Sequence, residues 1–263
     1  MTGLDKLTLG VVGGGGWLGG AIVQCLLDSG VITPERLHLS SRMPREGLFP
    51  GATWLQDNQE LVERSDIVLL SVRPGDFRAV DIDARGRLVI SVMAGISSAA
   101  IAAQLHSDRI IRALPNAAAE VARSYTPWAA TPACTASDRL AAKTIFEACG
   151  VADELAGEEQ VDYLAAVTGT GPAYAALLAE ALRRHAITRD IPPEVAMRAV
   201  NTVLVGAGHL TEAQGRSPAD VVDQFLAYQG MTTVALETMR AAGFDEVIAR
   251  GIEAALKRAE TLA

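Results

Sequence analysis

Lysine, aromatic residues and paired cysteines are all scarce in this sequence of 263 residues. Aromatics make up 5% of the chain and hydrophobic residues 49%, so the core must be largely aliphatic. The three cysteines, Cys25, Cys134 and Cys149, have no CxxC spacing, which argues against a disulfide framework or a metal site. No apolar run reaches the roughly 18 residues that a membrane span needs. We therefore expect no membrane partner and a cytoplasmic location.

Positive charge is also in short supply, since 23 basic residues face 31 acidic ones and the net charge is −8. A duplex-binding protein needs a basic footprint, so this balance argues against nucleic acid as a partner. Only three of the basic residues are lysines: Lys6, Lys143 and Lys257. Enzymes whose chemistry depends on a lysine are therefore disfavoured.

The first half of the chain alternates short apolar runs with helix-like segments. The helix-like pattern is clearest at residues 19–28, and the apolar runs predict strands at 7–12, 36–39, 65–72, 88–93 and 109–114. Runs that are apolar on both faces are typical of a parallel sheet covered by helices. The pattern predicts an α/β fold with a doubly wound sheet.

From about residue 160 the pattern becomes helical and rich in alanine. Helices are predicted over residues 161–185, 192–214, 218–225 and 231–262, with Gly243 interrupting the last one. We therefore place a nucleotide-binding domain at residues 1–157 and a helical domain at 158–263. The helical half is so apolar that we expect it to bury surface against another copy of the chain. Packing only on the first domain is the alternative.

A glycine-rich loop follows the first predicted strand and opens the first predicted helix. Its spacing, Gly14-x-Gly16-x-x-Gly19, fits a dinucleotide fingerprint. In that motif the first glycine permits a tight turn, the second lets the backbone approach the pyrophosphate, and the third allows close helix packing. A second register, Gly13-x-Gly15, is also present, and a flexible glycine turn is the alternative.

Residues after the other predicted strands extend this candidate cofactor site, because ligands bind beyond the carboxyl ends of such strands. Ser41 and Arg42 stand where NAD-binding versions carry a carboxylate, so we expect the 2′-phosphate of NADPH rather than NADH. A solvated arginine is the alternative. Further candidates are Val72, Arg73, Pro74, Ala94, Gly95 and Asn116. Asn116 is equally compatible with a simple helix cap.

Two polar breaks interrupt the helical half. Residues 168–174 read TGTGPAY and place Thr168, Thr170 and Gly171 in a segment suited either to a small polar ligand or to a helix cap. Residues 229–233 read QGMTT and precede a helix, whose N-terminus would favour a carboxylate.

Taken in order, these motifs resemble the pyrroline-5-carboxylate reductase family along nearly the whole chain. The glycine loop, Ser40-Ser41-Arg42, Asp57-Asn58, residues 71–74 (SVRP), 112–116 (RALPN), 168–174 and 230–232 are each similar to a family motif. The resemblance implies a Rossmann domain, a helical domain that dimerises, NAD(P)H as cofactor, and a cyclic imine that carries a carboxylate as substrate.

The resemblance also implies roles for individual residues. Thr232 and Thr170 are its catalytic candidates, with Thr232 bonding near the imine nitrogen. The cofactor set gains Trp17, Leu18 and Asn58, and the substrate set is Thr168, Gly171, Gln229, Gly230, Met231 and Thr232. Hydride transfer to the C=N carbon needs no strong protein acid if the nitrogen enters as iminium.

Three alternatives stay open. The family's SPGG is AYQG at residues 227–230, which favours a related imine with a different or absent carboxylate, or a catalytically idle NADP(H)-binding paralogue. A β-hydroxyacid dehydrogenase would need a lysine as its acid, but Ala175 occupies the matching position.

Overall fold

A computed structural model describes Leu4, residues 6–42 and residues 47–260 of the chain. Two compact units emerge, one formed by Met1–Thr170 with Ala255–Ala263 and the other by Gly171–Ala254. The sequence places a domain boundary thirteen residues earlier, at 157/158. The difference arises because the helical residues just before Thr170 pack with the sheet, and the boundary at 157/158 stays a prediction.

Within the described residues the first unit contains a single sheet of eight strands, in the order β3-β2-β1-β4-β5-β6-β7-β8. The strands are β1 (Leu9–Val12), β2 (Leu37–Ser40), β3 (Thr53–Leu55), β4 (Ile67–Leu70), β5 (Leu88–Ser91), β6 (Ile110–Ala113), β7 (Ser124–Ala130) and β8 (Gly150–Glu154). All neighbours are parallel except β6 and β7. This is the predicted α/β fold with a Rossmann-like parallel sheet.

Helices close both faces of the sheet, which explains the continuous apolar runs. On β4, Ile67 and Leu69 belong to one core cluster, whereas Val68 and Leu70 belong to the other. The first cluster includes residues of α1 (Trp17–Asp28) and α4 (Ala136–Glu147), and the second includes residues of α2 (Asn58–Glu63) and α3 (Ser98–Leu105). Successive strand residues point to opposite faces, so both faces need apolar side chains.

The predicted strands are all present. β2 has the predicted length but is displaced by one residue, the other four are shorter than their apolar runs, and α1 begins two residues before the predicted start. Three strands were not predicted from the sequence: β3, β7 and β8. β7 contains Pro127, which weakens its strand signal, and β8 has only one buried residue, Ala152. β3 has only half-buried residues at one edge of the sheet.

The remaining helices follow the predicted order. They are α5 (Glu158–Leu164), α6 (Gly171–Ile187), α7 (Pro193–Gln214), α8 (Pro218–Ala227), α9 (Met231–Ala241) and α10 (Phe244–Glu260). The predicted helix 161–185 is interrupted by a π-helical segment, Ala165–Gly169, between α5 and α6. Within the second unit, α6 packs against α7 and α8 against α9.

Local signals account for the helix starts in the second unit. Pro193 occupies the first position of α7, and Ser217 caps α8 through a reciprocal capping box with Asp220. None of the helices in the described part of the chain has the length and apolar content needed to cross a membrane.

Candidate active site

The glycine loop makes a tight turn between β1 and α1. Gly13 has φ = +90°, and a Cβ at this position would lie 2.4 Å from the carbonyl oxygen of Ser71. The Ser71 N–H donates a hydrogen bond of 2.9 Å to the Val12 carbonyl, which fixes the turn against the end of β4. The tight turn therefore belongs to Gly13, the first glycine of the second predicted register, and not to Gly14, because a motif gives spacing but not backbone angles.

Two other glycines allow close backbone approach. A Cβ at Gly19 would lie 2.6 Å from the Gly13 carbonyl oxygen, so α1 packs directly on the turn. A Cβ at Gly15 would lie 2.8 Å from the Ser41 hydroxyl oxygen. Gly16 occupies the N-cap of α1. Bare backbone therefore lines the space between β1 and β2, as a bound pyrophosphate requires.

Trp17 and Leu18 form the first turn of α1. The Trp17 indole is largely exposed, and its Nε1–H donates to the Glu120 carboxylate. Leu18 packs against the first core cluster. A cavity of about 720 Å³ is lined by residues of α1 and its flanks, from Gly15 to Ser29, and by Phe49. Of the predicted cofactor residues, this cavity meets only Gly16 and Trp17.

Ser41 and Arg42 directly follow β2, as the sequence predicts. The Arg42 guanidinium forms a two-pronged ion pair with Asp76, with N–O distances of 2.7 and 3.3 Å. Asn58 begins α2 and accepts a hydrogen bond of 2.7 Å from the Ser40 hydroxyl. Asp76 was not predicted, because nothing in its surroundings in the sequence distinguishes it from a solvated acid.

Residues after β4 and β5 lie at the same edge of the sheet as the glycine turn. Val72 and Pro74 are half-buried, whereas Arg73 is exposed and precedes the 3₁₀ segment Pro74–Ala79. Ala94 and Gly95 follow β5, and Gly95 has φ = +75°. The parallel order β2-β1-β4-β5 thus gathers these predicted cofactor residues at one edge.

Asn116 follows β6 and joins two loops. Its Oδ1 accepts a hydrogen bond of 2.9 Å from the Ala118 N–H, so it caps the 3₁₀ segment Ala117–Val121. Its Nδ2 donates to the Thr168 carbonyl at 2.9 Å. The cap alternative is therefore realised, and the same side chain also ties the sheet edge to the π-helical segment.

The hydroxyls of Thr168 and Thr170 both donate to carbonyls of the preceding turn, those of Leu164 and Ala166. Each hydroxyl proton is therefore used in a hydrogen bond to a backbone carbonyl, and each hydroxyl oxygen can still accept a hydrogen bond. Such π-helical segments are frequent at functional sites. An acceptor pair at this place suits a protonated nitrogen better than an anion.

A buried arginine on β6 holds α5, the helix that directly precedes the π-helical segment. Arg112 on β6 is 2% exposed and bonds Glu158 at 2.8 Å and Asp162 at 2.7 Å, both on α5. Burial opposes its charge, but these carboxylates prevail and raise the pKa of Arg112. Burial also works against the charge of Glu158, yet the Ser98 N–H and Arg112 hold the pKa of Glu158 below its usual value. Arg112 was not among the predicted site residues, and the feature of the sequence that could have identified it is a charged residue within the apolar run 109–114.

The other predicted substrate residues lie in the second unit. Gly171 begins α6, and Gly230 is the N-cap of α9. Gln229 has φ = +52°, a left-handed conformation that favours glycine. Met231 and Thr232 are exposed in the first turn of α9, whereas the Thr233 hydroxyl donates to the Phe225 carbonyl at 3.0 Å.

Two family models match separate parts of the chain. A family model described as pyrroline-5-carboxylate reductase dimerisation matches residues 158–262, and one described as NADP oxidoreductase, coenzyme F420-dependent, matches residues 8–95. A pyrroline-5-carboxylate reductase of Thermus thermophilus is 31% identical and aligns over 94% of this chain and 95% of its own length. This chain belongs to the pyrroline-5-carboxylate reductase family. The resemblance noted in the sequence is thereby confirmed.

Solved pyrroline-5-carboxylate reductases share the fold. The Coxiella burnetii protein superposes with a TM-score of 0.90 at 26% identity and covers 98% of this chain and 99% of its own. The Plasmodium falciparum protein, solved with NADP bound, has a TM-score of 0.86 at 21% identity, with 98% of each chain covered. Because residues 8–95 match the NADP oxidoreductase family model, the N-terminal part of this reductase-family chain is an NADP(H) oxidoreductase domain. Among all the residues that the structure describes, no three side chains of His, Cys, Asp or Glu form a group able to hold a metal.

Proposed function

We propose that this protein reduces 1-pyrroline-5-carboxylate to proline with NADPH, by hydride transfer to the C=N carbon. The observation that carries the proposal is the glycine turn, which is held between the ends of β1, β2 and β4 in a chain of the pyrroline-5-carboxylate reductase family. The turn leaves no room for side chains at Gly13 and Gly19. That geometry suits a dinucleotide pyrophosphate.

The residues present fit NADPH. The first-turn amides of α1, those of Trp17, Leu18 and Gly19, would hold the pyrophosphate. Gly14 and Gly16 would let it approach the backbone, since their own N–H groups donate to the Ser40 and Gly13 carbonyls. Ser41 and Arg42 would hold the 2′-phosphate, since no carboxylate directly follows β2. The other cofactor candidates at this edge are Asn58, Val72, Arg73, Pro74, Ala94, Gly95 and Asn116. When bound, NADPH supplies the hydride.

The start of α9 would bind the substrate carboxylate. Its first-turn amides, including those of Met231 and Thr232, have no partner within the helix, and the helix dipole favours a negative charge there. Gln229 and Gly230 shape the approach, and the Thr232 hydroxyl would bond near the imine nitrogen. Thr168, Thr170 and Gly171 are the remaining substrate candidates implied by the family resemblance, and the oxygens of the two threonines can accept a hydrogen bond from a protonated nitrogen.

An assay of NADPH oxidation at 340 nm tests this function. The substrates are 1-pyrroline-5-carboxylate, 1-pyrroline without the carboxylate, and the six-membered ring carrying the carboxylate. We expect efficient turnover of the first compound. Turnover of none, with NADPH still bound in a titration, would contradict the proposal and indicate an idle nucleotide-binding paralogue.

A related imine is the second candidate, favoured by Gln229. A glutamine with a positive φ stands where the family's SPGG has glycine, next to the amides proposed for the carboxylate. The same assay decides, since a preference for either analogue would show that residues 227–230 have changed the substrate.

We also propose that the protein works as a homodimer. The family model that covers residues 158–262 describes dimerisation. The helices in this range expose apolar side chains such as Leu177, Val203 and Val205. Apolar surface of this extent is typical of a protein interface.

A further inference from the structure

The ion pair between Arg42 and Asp76 joins two loops of the sheet edge. Arg42 follows β2, and Asp76 lies in the 3₁₀ segment Pro74–Ala79 that follows β4. Both guanidinium nitrogens Nη1 and Nη2 are engaged, at 3.3 and 2.7 Å from the two carboxylate oxygens. The contact between the planar guanidinium of Arg42 and Asp76 is thus bidentate, which is the geometry with which arginine also binds phosphate.

The position of this pair is significant because β1 lies between β2 and β4 in the sheet. The glycine turn follows β1, and Ser41 approaches it closely, as the 2.8 Å distance to a Cβ at Gly15 shows. The pair therefore joins the two loops that flank the glycine turn. A dinucleotide bound on that turn would meet Arg42 and Asp76 together.

We propose that Asp76 is a specificity-determining residue that weakens the preference for NADPH over NADH by competing with the 2′-phosphate for Arg42. This inference rests on the proposed role of Arg42 in binding that phosphate. The phosphate needs the same two nitrogens that Asp76 occupies. The 2′-hydroxyl of NADH carries no charge and does not compete with Asp76 for these nitrogens.

The competition is weak enough to permit NADPH binding. The side chain of Arg42 is 78% exposed and that of Asp76 is 34% exposed, so water and salt screen the pair. Exposed pairs of this kind contribute little, and their loss costs little. Asp76 therefore tunes the cofactor preference rather than blocking one cofactor.

The test measures dissociation constants of NADPH and NADH for the full chain and its Asp76→Asn and Asp76→Ala variants. We expect NADPH to bind about fivefold more tightly in both variants, which is the upper range for an exposed pair, with NADH binding unchanged within about twofold. The gain should shrink as salt is raised. Asp83→Asn is the matched control, since Asp83 forms an exposed pair with Arg85 at 3.3 Å. It should leave both constants unchanged.

The Arg42→Ala variant separates this inference from the function on which it rests. If Arg42→Ala leaves the NADPH-to-NADH ratio unchanged, the proposed phosphate site is wrong, whatever Asp76 does. If the ratio falls, adding Asp76→Asn to Arg42→Ala should produce no further gain for NADPH.

Four results would overturn the role of Asp76 itself. They are weaker NADPH binding in Asp76→Asn, unchanged NADPH binding, an equal gain for both cofactors, and a full gain that persists without Arg42. The first would mean that Asp76 prepares Arg42 for the phosphate. An equal gain for both cofactors would mean that the Asp76 charge acts on any dinucleotide. A full gain without Arg42 would mean that Asp76 acts on the 2′-phosphate directly and not through Arg42.

Discussion

The two units bury their apolar side chains to very different extents. In the first unit, helices cover both faces of the sheet, and residues such as Val68, Leu69 and Ile90 are fully buried. In the second unit, α6, α8 and α9 contain no buried residue among those the structure describes. The first unit therefore owes its stability to its own core, whereas the apolar helices of the second depend on further burial.

The same contrast applies to the motifs. The glycine turn of the first unit is fixed by backbone contacts, and it occurs in a part of the chain that matches an NADP oxidoreductase family model. The start of α9 is exposed, and its preceding loop differs from the family pattern at residues 227–229. Cofactor binding and substrate choice should therefore respond differently to substitution.

The largest expected effect concerns the core of the first unit. Replacing Arg112 with methionine removes the partner of Glu158 and Asp162 and should lower the free energy of unfolding by about 3 kcal/mol. Urea denaturation followed by circular dichroism measures the change. Arg85→Met breaks only an exposed pair and should cost less than about 0.5 kcal/mol. Equal losses in the two variants would contradict the supporting role of Arg112.

The second prediction concerns the exposed helices. Val205 on α7 and Val151 on β8 are both 61% exposed in the single chain. Val205→Glu should weaken self-association at least about 100-fold, or about 2.8 kcal/mol, because it places a charge in the proposed interface. Val151→Glu should have no such effect. Light scattering across a dilution series distinguishes them, and an unchanged oligomer in Val205→Glu would remove α7 from the interface.

Catalysis should depend on Thr232 but not on its neighbour. Thr232→Val should lower kcat about tenfold or more, through loss of one transition-state hydrogen bond, and leave NADPH affinity unchanged. Thr233→Val is the matched control, because that hydroxyl already bonds the Phe225 carbonyl. Thr232→Ser should restore most of the activity. Full activity in Thr232→Val would exclude the hydroxyl from the mechanism.

Much of the first unit could be predicted from the sequence because its physical causes are local. Apolar runs on both faces identify β1, β2, β4, β5 and β6, and parallel order then places their carboxyl ends together. β3 and β8 escaped prediction because edge strands need little apolar surface. Their placement depends on neighbours that lie far away in the sequence.

The site could be predicted only in part, for the same reason. The spacing of glycines identified the loop, but Gly13 rather than Gly14 makes the tight turn, which depends on contact with Ser71. Arg42 was expected from its place after β2. Its partner Asp76 lies 34 residues further on and is brought close only by the order of the strands.

A smaller effect is expected from pH, again in the first unit. Hydrogen bonds hold the pKa values of Glu158 and Asp138 below their usual values in the folded protein, although burial works in the opposite direction. Their contribution to the free energy of unfolding is therefore present at neutral pH and is lost as the pH falls below about 4.5. After allowance for exposure, we expect a loss of about 1 kcal/mol, measured by urea denaturation between pH 6 and pH 3.5. Glu158→Gln should flatten this dependence, and an unchanged slope would contradict the assignment.

The smallest expected effect tests the departure of the substrate loop from its family. Gln229 has φ = +52°, which costs a non-glycine residue roughly 1 kcal/mol, but glycine gives up a similar amount in entropy on folding. Gln229→Gly should therefore change the free energy of unfolding by less than about 0.5 kcal/mol. It should lower KM for 1-pyrroline-5-carboxylate about threefold by freeing the backbone before α9. Gln229→Ala removes the side chain but keeps the strain, so an equal gain in that variant would show that the side chain, not the backbone, restricts the carboxylate.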